Sequence, residues 1–222
     1  MNVFYFLQER TRLIRHFYDA ASASFVETKD LIHAGAPPFD NPPLDDSGEP
    51  PFLGEWWQAD VEQELVGRAC VSMHSEALKQ FFMTWERQIG GTPPRCQLDF
   101  KTEFKKGFVA GYIGCFGEAL SFTPSDCPAD LSVIEQVVLA RNRVQHFGVI
   151  WPNVQHDEDT RSKFPRPFFA REEEAWPDDG SSSFFGPLIH IDRNNLFRAI
   201  GEVEKLGSWL QSRIEDHFFP PT

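Results

Sequence analysis

Arg141, Asn142 and His146 are the residues of this chain whose types and spacing suit chemistry. A guanidinium presents donors in a planar fork that grips phosphate or carboxylate oxygens in pairs. An imidazole exchanges protons near neutral pH, so it serves as general acid or base. Asn142 and His146 stand four apart and share one strip of a helix, so an amide and an imidazole face the same way. Arg143 and, further back in the chain, Lys105 and Lys106 are candidates for holding a phosphate-bearing substrate, Lys101 extending that basic cluster.

The helix that must position the set runs through Val133 to Gln145, with Gly148 as its stop. Ile134, Val137, Val138 and Val144 form its apolar stripe, and Arg141 takes a slot where the pattern asks for an aliphatic side chain. An unpaired buried charge costs several kcal/mol, so Arg141 needs a partner, a wet cleft or a ligand. Two structural alternatives stand beside the chemical one. Arg141 could pair with an interior carboxylate such as Glu118 or Glu135, and His146 could be a cation at a helix C-terminus. Residues five apart on a regular helix point about 140° away from each other. Arg141 and His146 therefore meet only if the helix frays first, if the arginine reaches across, or if a second molecule completes the site.

Around that helix the patterns predict an all-α chain, a single domain over residues 1–222. The expected architecture is an up-and-down bundle of about five helices with two long irregular loops. A first helix is predicted over Val3 to Ile32, broken near Ser22, with Phe6, Leu13, Phe17 and Ala20 or Ala21 on its inner stripe. Residues 36–54 form a Pro-rich loop. A second helix runs over Glu55 to Ile89, its stripe starting at Val61 and Leu65 and ending in Leu78, Phe81, Phe82 and Trp85; His74 reads as a polar-flanked position on it. A third, Phe100 to Leu120, carries Gly107, Gly111, Gly114 and Gly117, a series that suggests close packing rather than a phosphate loop. Residues 149–190 form a long aromatic and charged loop expected to fold back over the bundle, with a short extended piece at Leu188–Ile191. Within it, His156, Asp157, Glu158 and Asp159 are adjacent ligand types, but contiguous loop residues seldom close a metal site. Asp192 reads as the N-cap of a last helix with the seam Leu196, Ile200, Val203, Gly207, Leu210 and Ile214.

The 222 residues carry a formal net charge of −12, which argues against a general nucleic-acid binder because such affinity rests on lysine and arginine neutralising phosphates. A local basic patch remains compatible with it. Cys70, Cys96, Cys115 and Cys127 lack the spacing of a metal or redox motif and read as reduced thiols. No segment reads as a signal peptide or membrane span, so a cytoplasmic protein with no membrane partner is expected.

Arg141-Asn142-Arg143-Val144-Gln145-His146, closing a late helix that follows three helical patterns, resembles the R-x4-H signature of the HEPN superfamily of small all-helical bundles. The resemblance covers the helical part of the chain and neither long loop. It implies a metal-independent endoribonuclease with no cofactor, cleaving RNA through attack of the 2′-hydroxyl on the adjacent phosphorus. Arg141 would stabilise charge on the phosphate, Asn142 would orient, and His146 would move the proton. A homodimer with a composite site is implied, as is a place in a toxin–antitoxin or antiphage defence system with an antitoxin or regulatory protein as partner. Some members continue as His-x-Tyr, the tyrosine being modified by a nucleotidyltransferase antitoxin; here His146 is followed by Phe147 and Gly148, which departs from that mode. The alternative is a catalytically silent HEPN-like module that binds a nucleotide, RNA or a protein.

Overall fold

The computed structural model describes residues 2–42, 48–89, 100–146, 154–171 and 188–218, with the side chains of Phe100 and Lys101 outside that set. Cys96 and the end of the predicted 149–190 loop's aromatic run, including Trp176, Phe184 and Phe185, lie outside the described residues. Seven helices are found among those described: α1 Val3–Ala34, α2 Leu53–Ile89, α3 Phe100–Lys105, α4 Phe108–Leu120, α5 Leu131–His146, α6 Glu158–Lys163 and α7 Arg193–Phe218. The only sheet-like pairing among them is a single antiparallel bridge between Gln155 and Leu188. The chain is an all-α bundle. No described helix is long and apolar enough to cross a membrane.

The long helices α1, α2, α5 and α7 form the frame, α1 lying on α2 and α7, and α5 on α2, α4 and α7. Helix α7 follows its sequence pattern closely: Leu196, Ile200, Val203, Leu210 and Ile214 are all buried. Asp192 caps it, accepting from the Asn195 N–H at 2.8 Å. Helix α1 does not follow its pattern. It is continuous through Ser22, and its buried line is Val3, Leu7, Thr11, Ile14, Tyr18 and Ser22. Phe6, Leu13 and Phe17, the expected core, face outward at 55%, 54% and 45% exposure. The inner line survives with two hydroxyl residues because both are satisfied. Thr11 donates to the Gln8 carbonyl, with its hydroxyl also against Glu204, and Ser22 donates to the Tyr18 carbonyl.

The predicted third helix is two. Gly107 stands between α3 and α4 at φ 144°, a conformation that disfavours any side chain. A Cβ there would also lie 2.7 Å from the Glu135 carboxylate. Glu135, buried on α5, accepts from the Phe108 and Val109 N–H groups at 2.9 and 2.8 Å and so caps α4. Gly111 and Gly117 lie against the Phe104 ring and the Phe122 backbone, so the glycine series serves close approach by neighbouring chain.

Two apolar clusters share α5. Ile134 and Val138 join the one built with α2, α4 and the C-terminal half of α7. Val133, Val137 and Ala140 join the other, which includes Val154, Phe169, Ile189 and Ile191 from the long loop. The described parts of that loop therefore fold onto the bundle, as its aromatic content predicted.

Candidate functional site

Helix α5 stays helical through His146, so fraying does not bring Arg141 and His146 together, and their directions differ by the angle regular geometry sets. Ile134 and Val137 are fully buried, whereas Arg141 and Val144 are half-buried and Asn142 and His146 are exposed. The stripe thus surfaces as the helix leaves the core, and the arginine occupies the point of emergence. Its Nη1 donates to Asn142 Oδ1 at 3.0 Å, its hydrogen bond among the described residues. Glu135, one of the two carboxylates that could have tied it down, instead caps α4. The guanidinium reaches solvent and retains donors for an anion.

Arg143 is placed differently. Its Nε donates at 2.8 Å to the carbonyl of Gln155, the residue that bridges to Leu188, so this arginine ties α5 to the returning loop. Lys106, one residue past the end of α3, pairs with Glu103 of that helix at 2.7 Å, and Lys105 is exposed. Neither belongs to α5, and no contact joins them to Arg141. The run His156 to Asp159 builds the start of α6 and not a ligand set, Glu158 and Asp159 being its first residues. Asp157 accepts from the Thr160 N–H at 2.7 Å to start α6. The His156 ring lies 2.8 Å from the Phe169 carbonyl, and burial lowers its affinity for a proton. Among the described residues no group of three or more acidic, histidine or cysteine side chains is arranged to hold a metal ion.

A second set of ionisable groups escaped the sequence reading. Glu64, in the N-terminal third of α2, faces His190 Nδ1 in a short contact and accepts from the Ile191 N–H at 3.4 Å. Arg171 Nη2 lies 2.9 Å from Asp60 and 3.4 Å from Glu64, and Lys29 of α1 reaches Asp60 at 3.0 Å. Burial pushes the Glu64 carboxyl upward, but the bond and charge of His190 outweigh it and hold the group below its ordinary range. Asp60 is held down likewise, its burial outweighed by Lys29 and Arg171. Because His190 Nδ1 lies against a carboxylate, it carries the proton and donates, so the Arg171 Nε, 3.3 Å from that nitrogen, finds no acceptor in it. Clefts of about 170 and 190 Å³ are each lined in part by Asp60, Glu64 and His190. The groups come from sequence separations of 31 to 126 residues, so no spacing announces them.

His74, the polar-flanked position of α2, is fully buried, and burial drops its pKa to about 4. The backbone of Ala199 is close enough to favour the protonated ring slightly, but no hydrogen bond of good geometry reaches either nitrogen. Cys70 is buried with its thiol pushed up to about 12, which makes it inert near neutral pH.

Comparison of the chain with protein-family models, with curated proteins and with solved structures finds no match. Fold and site together define an all-α bundle with a solvent-reachable Arg-Asn pair and a histidine at the end of one core helix.

Proposed function

We propose that this chain is a metal-independent endoribonuclease of HEPN type, acting in the cytoplasm as a homodimer with a composite site. The observation that carries the reading is the state of Arg141: a half-buried guanidinium, on the motif, with an amide and no carboxylate as its partner among the described residues. Arg141 binds the non-bridging oxygens of the scissile phosphate and stabilises the charge that builds there. The 2′-oxygen attacks phosphorus, the bond to the 5′-oxygen breaks, and a cyclic phosphate is left on the upstream fragment. His146 accepts the 2′ proton or protonates the leaving 5′-oxygen. A second copy, related by a two-fold, supplies the histidine that one helix cannot aim at its own arginine. A toxin or antiphage role with a regulatory partner fits such an activity.

The test is RNA cleavage in the presence of chelator by the wild type, Arg141→Ala and His146→Ala. Loss in both variants supports the assignment; equal cleavage by all three overturns it. Mixing the two variants then tests the composite site. A site shared across two copies regains roughly a quarter of wild-type activity, because half the dimers are mixed and each holds one intact site. The net charge of −12 weighs against a polyanionic substrate and favours a second reading, a silent module that binds a nucleotide or a protein partner through Arg141. Under it Arg141→Ala abolishes binding and no variant, nor the wild type, cleaves.

A further inference from the structure

Helix α2 presents Trp56, Asp60, Glu64 and Arg68 at successive i, i+4 positions, and these share one strip of its surface. Arg171 and His190 of the returning loop join that strip in lining the cleft of about 190 Å³. The polar groups of this cleft are unevenly spent. Both Asp60 oxygens accept already, one from Lys29 and one from Arg171. Both Glu64 oxygens accept as well, one from His190 and Arg171 and the other from the Ile191 N–H.

The donors are in surplus. Arg171 spends Nη2 on the two carboxylates, and its Nη1 makes no hydrogen bond among the described residues. The Trp56 indole nitrogen is buried and has no acceptor among them either. Arg68 is half-buried, and burial outweighs the nearby charge of Glu64, leaving its affinity for a proton below the ordinary arginine value. Lys29, Arg68 and Arg171 thus stand against Asp60 and Glu64, one positive charge in surplus within a chain of net charge −12. The rest of the lining is apolar: the two indole rings of Trp56 and Trp57 with Val61 and Leu188. Trp57 is 55% exposed although it is large and aromatic.

We infer that this cleft binds a small aromatic carboxylate, its anionic end held by Arg171 Nη1 and its ring laid against Trp57. A guanidinium edge grips a carboxylate in its own plane, and a second ring beside an indole gains contact area. A cationic ligand would compete for carboxylate oxygens that each already accept a hydrogen bond. A phosphate dianion would exceed the one positive charge in surplus. The cleft is smaller than the ~300–1,000 Å³ of pockets for drug-sized molecules, which limits the ligand to about one ring. None of these residues belongs to α5, so the site is independent of the nuclease reading and is tested without reference to cleavage.

Fluorine NMR line broadening of 4-fluorophenylacetate titrated with the full chain tests it. The wild type binds this probe with a Kd on the order of 0.1–1 mM. Binding of 4-fluorophenethylamine, matched in shape and opposite in charge, is at least tenfold weaker, and acetate in tenfold excess does not displace the probe. Trp57→Ala, at an exposed position, weakens binding at least threefold with an unchanged thermal midpoint. Arg171→Met weakens it at least tenfold, measured at a temperature where circular dichroism shows the variant folded. Arg141→Ala binds as the wild type does. A wild type that gives no saturable broadening overturns the inference, as does equal binding of the amine, displacement by acetate, or tighter binding of 4-fluorophenyl phosphate. Binding indifferent to Trp57→Ala, or lost in Arg141→Ala, overturns it too, because the probe then sits elsewhere.

Discussion

Arg141 and Glu64 are both charged side chains on core helices, and the surroundings give them opposite work. Glu64 is held by His190, Arg171 and the Ile191 N–H, with Asp60 and Lys29 completing a network that binds the returning loop to α1 and α2. Each charge there faces an opposite one. Close by, Gly67 on α2 lets the Ile191 carbonyl approach so tightly that a Cβ would overlap it, which shows how firmly this stretch is seated. Arg141 has one neutral amide and open solvent. A closed network contributes to the fold and leaves little to offer a ligand, while an open donor set contributes little to the fold and keeps its capacity to bind. The difference is one of partners, and residue type alone does not reveal it.

The largest effect expected from that contrast is on activity. His146→Ala should lower RNA cleavage by about 10²- to 10⁴-fold, the usual contribution of a positioned acid or base, with stability changed by no more than about 0.5 kcal/mol because the side chain is exposed. Arg141→Ala should match it in activity. Cleavage measured beside a denaturant melt checks both halves, and a variant that loses activity only in proportion to its folded fraction would break the contrast.

Glu64→Ala should do the reverse. Removing the carboxylate leaves the His190 and Ile191 N–H groups without their acceptor while Arg171 keeps Asp60, a loss of about 1–3 kcal/mol. Urea unfolding at neutral pH reads this directly. Cleavage by the fraction that remains folded should equal wild type, and a loss there would move Glu64 into the site.

The two regions also differ in how much of them was legible. Arg141, Asn142 and His146 lie within six residues, so helical periodicity alone showed an arginine in an aliphatic slot and an imidazole beyond it. Glu64 and His190 are 126 residues apart, and only tertiary structure joins them. The helices divide in the same way. The α7 seam was readable because one straight aliphatic line is buried from Leu196 to Ile214. On α1 two lines compete, and hydropathy favours Phe6, Leu13 and Phe17 over a line interrupted by Thr11 and Ser22. The hydroxyl line went inward because Glu204 and the Tyr18 carbonyl satisfy it. The break between α3 and α4 depended on Glu135 approaching Gly107 from another helix, a contact no local pattern carries.

His74 sharpens the comparison through pH. Its ring is neutral in the fold with a pKa of about 4, while in the unfolded chain it takes a proton below about 6.5. The unfolded state therefore binds more protons in that window. Stability is fully present above pH 6.5 and declines as pH falls toward 4, by up to about 3 kcal/mol from this group. The depressed Glu64 carboxyl adds a loss of the same sign at lower pH. His74→Leu should flatten the upper part of the profile in denaturant melts between about pH 7 and 4.5. An unchanged slope would assign the acid sensitivity elsewhere, with Glu64 the first group to examine.

Arg143 gives the smallest effect and the finest test, because it sits on the open helix yet makes a closed contact. Its Nε–H bond to the Gln155 carbonyl is partly buried, and its loss in Arg143→Ala should cost about 1 kcal/mol. If that bond is its whole role, the salt dependence of RNA binding stays as in the wild type. Were Arg143 also on a phosphate, the slope of log K against log salt would fall by roughly one. Arg141→Ala should show that change in slope without the stability loss. Two arginines, two positions apart on one helix, would then divide between the fold and the substrate according to what each already touches.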